Sequence, residues 1–121
     1  MEKLQNRVEQ MFARQLAEWQ LAANNFAALD SVRECELGFY GFKAQYNPSR
    51  SRSTLAKTDA KTIGERKCFL CQANRPQEQE SVEWRDYEIL VNPYPVCRRH
   101  FTVPIKSHVP QRLTGRVDDM V

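Results

Sequence analysis

Lys67-Cys68-Phe69-Leu70-Cys71, then Tyr87-Glu88-Ile89-Leu90-Val91-Asn92-Pro93-Tyr94-Pro95, then Arg99-His100-Phe101-Thr102-Val103-Pro104-Ile105-Lys106-Ser107-His108, is the stretch on which the reading of this chain turns. It sets a C-x-x-C pair ahead of a predicted β-hairpin and closes on a histidine. Two thiolates separated by two residues reach one tetrahedral ion from a single tight turn, and neutral imidazole is a usual companion ligand. Redox pairs share the same spacing but open a helix after a strand. Here Asn74-Arg75-Pro76 follows at once and breaks a helix instead. The expectation from the spacing is therefore a zinc-binding Cys68–Cys71 pair with imidazole as the companion ligand, rather than a redox pair or an incidental spacing. Cys97 could supply a further sulfur, and the ligand set is read without it.

Tyr87–Val91 and Phe101–Ile105 read as the two hairpin arms, with Phe101, Val103 and Ile105 on one face by period two. Asn92-Pro93-Tyr94-Pro95 cannot continue a central pairing, since neither proline has an N–H to donate. Residues 72–83, rich in Gln and Glu, read as a polar loop.

Upstream, residues 3–29 carry Leu4, Val8, Met11, Phe12, Leu16, Trp19, Ala23, Phe26 and Ala27 at three- and four-residue steps, which predicts an amphipathic helix with that stripe as its core face. Asp30-Ser31 ends it. Residues 32–46 turn to aromatics, predicting a strand that bends at Gly38 and Gly41, with Cys35 packed as a small apolar residue. Residues 49–67 are basic and poor in apolar side chains and read as a flexible loop. With Asn47, its Arg50 and Arg52 could cradle a phosphate or remain a solvated basic surface. The tail from Leu113 to Val121 reads as the opening of a helix.

At 121 residues the chain forms one domain at most. Its formal charge of +3 is too mild to argue for a nucleic-acid partner. No run is apolar enough for a membrane span, and the start, Met1-Glu2-Lys3-Leu4-Gln5, has no hydrophobic signal region, so a cytoplasmic location is expected. Four cysteines in such a chain favour a metal site over a disulfide framework.

Cys68-Phe69-Leu70-Cys71 with Asn74 resembles the zinc-binding turn of galactose-1-phosphate uridylyltransferases. Val91-Asn92-Pro93-Tyr94-Pro95, His100-Phe101-Thr102-Val103-Pro104 and Lys106-Ser107-His108 resemble the strand pair of the wider histidine-triad superfamily. Gln45-Tyr46-Asn47-Pro48-Ser49-Arg50 is similar to the segment before the zinc turn in dinucleoside tetraphosphate and GDP-hexose phosphorylases. The resemblance covers roughly Tyr46 to Asp119. Together with the N-terminal helix read from its own periodicity, the expected fold is α+β: a long N-terminal helix (residues 1–30) packed on the small antiparallel sheet of a partial histidine-triad-like domain with a zinc-binding turn (31–121). The resemblance implies zinc on Cys68, Cys71 and His108, a nucleoside contacted by Asn92 and Pro93, phosphate contacted by Asn47, Arg50 or Arg52, and His100 beside the pocket. A lone strand histidine can equally be a structural hydrogen-bonder. The families' nucleophile sits in a later histidine-x-histidine strand. This chain has two histidines, His100 and His108, so the resemblance implies half of a nucleotidyltransferase or phosphorylase without its catalytic residue. The expected partner is a nucleotide or nucleotide sugar, with a homodimer possible through an exposed sheet edge. The competing reading is a small zinc-stapled module for RNA or a protein partner.

Overall fold

A computed structural model describes residues 2–121. The predicted helix forms, in two pieces: α1, Leu4–Glu18, and α2, Gln20–Ala27. The break falls at Trp19, whose backbone is extended and whose side chain is 4 % exposed, so the chain changes direction around a buried indole. A short 3-10 turn, Ala28–Ser31, ends the helical region.

Strands β1 (Arg33–Leu37) and β2 (Phe42–Tyr46) follow, paired antiparallel in the register Leu37 with Phe42 through Arg33 with Tyr46. The single bent strand expected over 32–46 is thus a hairpin. Gly38 and Gly41, at φ 69° and 68°, occupy the left-handed region that reverses the chain, and glycine does so without a Cβ penalty. The expected packing of Cys35 is also corrected, because it lies exposed on β1. The basic segment, expected to be irregular, holds two short helices, α3 (Ser51–Thr54) and α4 (Ala60–Glu65). Asp59 caps α4 by accepting from the Thr62 N–H at 2.9 Å, the local signal that composition masked.

The main sheet has three strands in the order β3 (Ser81–Trp84), β4 (Tyr87–Val91), β5 (Phe101–Thr102), antiparallel throughout. Strand β3 occupies the end of what reads in sequence as a polar loop. It joins β4 through a two-residue turn whose Arg85 sits at φ 51° with its guanidinium 4.7 Å over the Trp84 ring. The second arm is shorter than 101–105, because Pro104 interrupts it. Pairing resumes as a single bridge between Tyr87 and Ile105. The predicted C-terminal helix is a 3-10 turn, Val117–Met120.

Helix α1 lies across β3 and β4. Met11, Val82 and Val91 form the buried centre, ringed by Leu4, Val8, Phe12, Phe26, Ile89 and Phe101. Phe12 meets Phe26 and Phe101 edge-on at 5.2 and 5.6 Å, so α1, α2 and β5 share one aromatic joint. Gln15 is buried with its amide satisfied: Nε2 donates to the Glu78 carbonyl at 2.8 Å and Oε1 accepts from the Glu80 N–H at 3.0 Å. No helix among the described residues is long and apolar enough to cross a membrane.

Candidate functional site

Two clusters form on this frame. In the first, the Cys68–Cys71 turn closes through a bond from the Cys71 N–H to the Cys68 carbonyl at 3.2 Å, and Asn74 Nδ2 donates to the same carbonyl at 3.0 Å. Arg75 then ties the turn to the sheet. Its Nε and Nη2 donate to the Leu70 carbonyl at 2.9 and 2.7 Å, and Nη2 pairs with Glu88 of β4, both side chains less than a tenth exposed. Glu88 Oε1 also accepts from Ser81 Oγ at 3.3 Å. The segment carrying His108 is registered separately: the Glu88 N–H donates to the Pro104 carbonyl at 3.0 Å, and the Lys106 N–H to the Asp86 carbonyl at 2.8 Å.

The outcome is that the ligand atoms of Cys68, Cys71 and His108 lie within 4.8 Å of one another, with Cys71 Sγ 3.2 Å from His108 Nδ1. Sulfur and nitrogen ligands at tetrahedral bond lengths stand about 3.5 Å apart, so little movement would seat one ion between them. This group could hold a metal ion. The Leu70 backbone N–H holds the Cys68 thiol below its ordinary pKa against the opposing effect of burial, while hydrogen bonding to Cys68 pushes Cys71 up. Cys97 stands apart and exposed, its thiol bonded to the Arg99 carbonyl at 3.2 Å, and His100 is not part of the group.

A cleft of about 730 Å³ opens beside the trio, with Leu70, Trp84, Val103, Ile105, Leu113 and Met120 among its walls. The C-terminal segment bounding it is pinned by Asp119, which accepts from the Tyr87 hydroxyl at 2.8 Å and from Arg85 at 3.0 Å. Arg116 reaches Asp86 at 3.3 Å.

The second cluster surrounds the 92–100 loop. Asn92 caps it by accepting the Tyr94 N–H on Oδ1 at 2.9 Å, and its own N–H donates to the His100 carbonyl at 2.9 Å. His100 Nδ1 accepts the Val96 N–H at 3.1 Å. That assignment leaves the neutral ring protonated on Nε2. Asn92 Nδ2, 3.4 Å from Nε2, then meets another donor and is a packing neighbour. Burial first, then the charge of Arg50, lowers the His100 pKa, which favours the neutral ring. Arg50 Nε is itself enclosed and has no hydrogen-bond partner.

Neighbouring elements hold this loop from both sides. Asn47 Nδ2 donates to the Pro95 carbonyl at 3.1 Å, and Gln45 Nε2 to the Val96 carbonyl at 3.0 Å. From α2, Asn25 Nδ2 donates to the Pro93 carbonyl at 2.7 Å. Arg99 pairs with Glu9 of α1, and Arg98 with Asp30 at 3.1 Å. The structure therefore gathers Asn47, Arg50, Asn92, Pro93 and His100 around one loop, while Arg52 lies exposed on α3. Sequence reasoning missed Asn25, Gln45, Arg75 and Glu88. Only the last two left a signal, as charges beside the cysteines and within an apolar strand.

Residues 11–121 match the family described as a domain of unknown function, DUF4922. The chain belongs to that family. No curated protein and no solved structure gives a match. Within this DUF4922 domain the two clusters are distinct in chemistry: one gathers two cysteine sulfurs and an imidazole that could hold a metal ion, the other gathers amide, guanidinium and imidazole groups around the 92–100 loop.

Proposed function

We propose that this domain binds a nucleotide or nucleotide sugar through the 92–100 loop and is stapled by zinc at Cys68, Cys71 and His108, as half of a histidine-triad-like nucleotidyltransferase or phosphorylase. The observation that carries the reading is the donor excess around His100. Arg50 Nε is enclosed with no hydrogen-bond partner and Asn92 Nδ2 and His100 Nε2–H face each other as two donors, whereas the loop's Pro93, Pro95 and Val96 carbonyls are already bonded. A buried cationic donor without an acceptor is costly, and a phosphate oxygen satisfies it. Zinc fits the trio because two thiolates and an imidazole suit a tetrahedral d¹⁰ ion, and the ion would fasten the cysteine turn to the sheet as part of folding. A reducing, cytoplasmic setting agrees with such thiolates.

Neither histidine is placed as a nucleophile in this reading. His108 belongs to the metal group, and His100 Nδ1 is engaged by Val96 while Nε2 carries the proton. Binding without turnover is the expected behaviour of this chain.

Calorimetric titration with a nucleoside, its mono- and diphosphate, and a single-stranded RNA tests the reading. Affinity should rise with each phosphate, fall at least about tenfold in Arg50→Ala, as for loss of one charge-assisted bond, and stay near wild type in Arg52→Ala. Preference for the RNA over the diphosphate, or equal affinity for nucleoside and diphosphate, would replace it with the binding-module alternative.

A further inference from the structure

The β1–β2 hairpin stands off the body with both of its faces largely exposed. By register, Arg33, Cys35, Leu37, Phe42, Ala44 and Tyr46 share one face, and Glu34, Glu36, Lys43 and Gln45 share the other. The body is reached from the polar face, where Gln45 bonds the Val96 carbonyl. The apolar face looks outward: Leu37, Phe42 and Tyr46 are 53 %, 64 % and 64 % exposed, and Cys35 is exposed beside them. Tyr40, 85 % exposed, lies edge-on to Phe42 at 6.4 Å and extends the patch. The hairpin is a separate two-stranded sheet, and two strands alone are marginal in water. Both outer edges lack backbone partners among the described residues.

The charge pattern decides which edge accepts a copy of itself. An antiparallel pairing of β1 with a second β1, centred on Cys35, sets Glu34 against the copy's Glu36 twice over, a like-charge clash. Centring β2 on Lys43 opposes two lysines. Centring it on Ala44 opposes Phe42 to Tyr46, Lys43 to Gln45 and Ala44 to itself, so all five residues pair with two aromatic contacts and no repulsion. A two-fold axis along the sheet normal generates that register and keeps like faces together.

We infer that β2 is a self-association edge: two copies of this chain pair through β2 about Ala44 into a four-stranded sheet whose outward face carries a continuous aromatic patch. Five residues a side is far below the roughly 20–30 of a standard interface, so the dimer is weak, with a dissociation constant on the order of 0.1 mM.

Sedimentation equilibrium of the wild-type chain should show a reversible monomer–dimer transition centred near that concentration, and Phe42→Lys should abolish it. In a Cys35→Ser/Cys97→Ser background, Phe42→Cys mixed with Tyr46→Cys should form a mixed 42–46 disulfide in preference to 42–42 and 46–46 dimers, read by peptide mass spectrometry. Both sites are exposed, so neither substitution threatens the fold. A monomer up to about 1 mM, or 42–42, 42–46 and 46–46 disulfides in the roughly 1:2:1 ratio of random coupling, overturns the proposal.

Discussion

Replacing Glu88 by alanine strips the counter-charge from a guanidinium that the fold has taken out of water. Arg75 and Glu88 are 6 % and 9 % exposed at their side chains, and Arg75 also holds the Leu70 carbonyl. Breaking a buried pair from one side costs about 3–5 kcal/mol, chiefly because the remaining charge is uncompensated. A domain of this size has about 6–18 kcal/mol in all, so the variant should unfold at markedly lower urea, with Tm down by about 10–20 °C. Arg98→Ala breaks the exposed pair with Asp30 and serves as control, costing less than about 1 kcal/mol. Urea titrations of the wild type and both variants, followed by tryptophan fluorescence, measure the contrast. The pH dependence has a definite sign. Hydrogen bonding from Arg75, ahead of the opposing burial effect, holds the Glu88 carboxyl below its ordinary 4.5. Its contribution is therefore complete above the unfolded value and lost as pH falls through the folded one. Glu88→Gln should flatten that part of the acid limb. A Glu88→Ala variant within about 1 kcal/mol of wild type would refute the account of how the cysteine turn is held to the sheet.

Met11→Ala, at a fully buried position between α1 and the sheet, should cost about 2–5 kcal/mol in the same urea assay. Gln15→Ala leaves the Glu78 carbonyl and the Glu80 N–H unpaired, and should cost about 1–3 kcal/mol while raising hydrogen exchange at Glu80 above that of β4. Incubation with radiolabelled UDP-glucose, GDP-hexose or a dinucleoside tetraphosphate should leave no covalent label and no product. A label that disappears in His100→Ala would instead make His100 a nucleophile.

Where apolar periodicity had one solution, the sequence was legible. The stripe from Leu4 to Phe26 and the Tyr87–Val91 run gave a helix over an antiparallel sheet, and the cysteine spacing pointed to a group that the structure assembles with His108. What escaped was set by tertiary context. Strand β3 begins at the edge of a Gln/Glu-rich segment, and Val82 and Trp84 alone are too short an alternation to mark it. The glycines at 38 and 41 mark a hairpin as readily as a bend, and only pairing across 33–46 separates the two. Arg75 reads as a helix breaker's neighbour until Glu88 is seen to be buried opposite it. Asn25 and Gln45 act through their amides on carbonyls 68 and 51 residues away, a relation that no local pattern carries.

Native mass spectrometry of the chain purified without chelator and mixed with a nucleoside diphosphate tests both halves of the proposed function in one spectrum. The account predicts one zinc retained per chain, absent in Cys68→Ser/Cys71→Ser, and one diphosphate adduct, absent in Arg50→Ala but present in Arg52→Ala. A chain that carries no metal, or an adduct that persists unchanged in Arg50→Ala, would contradict it.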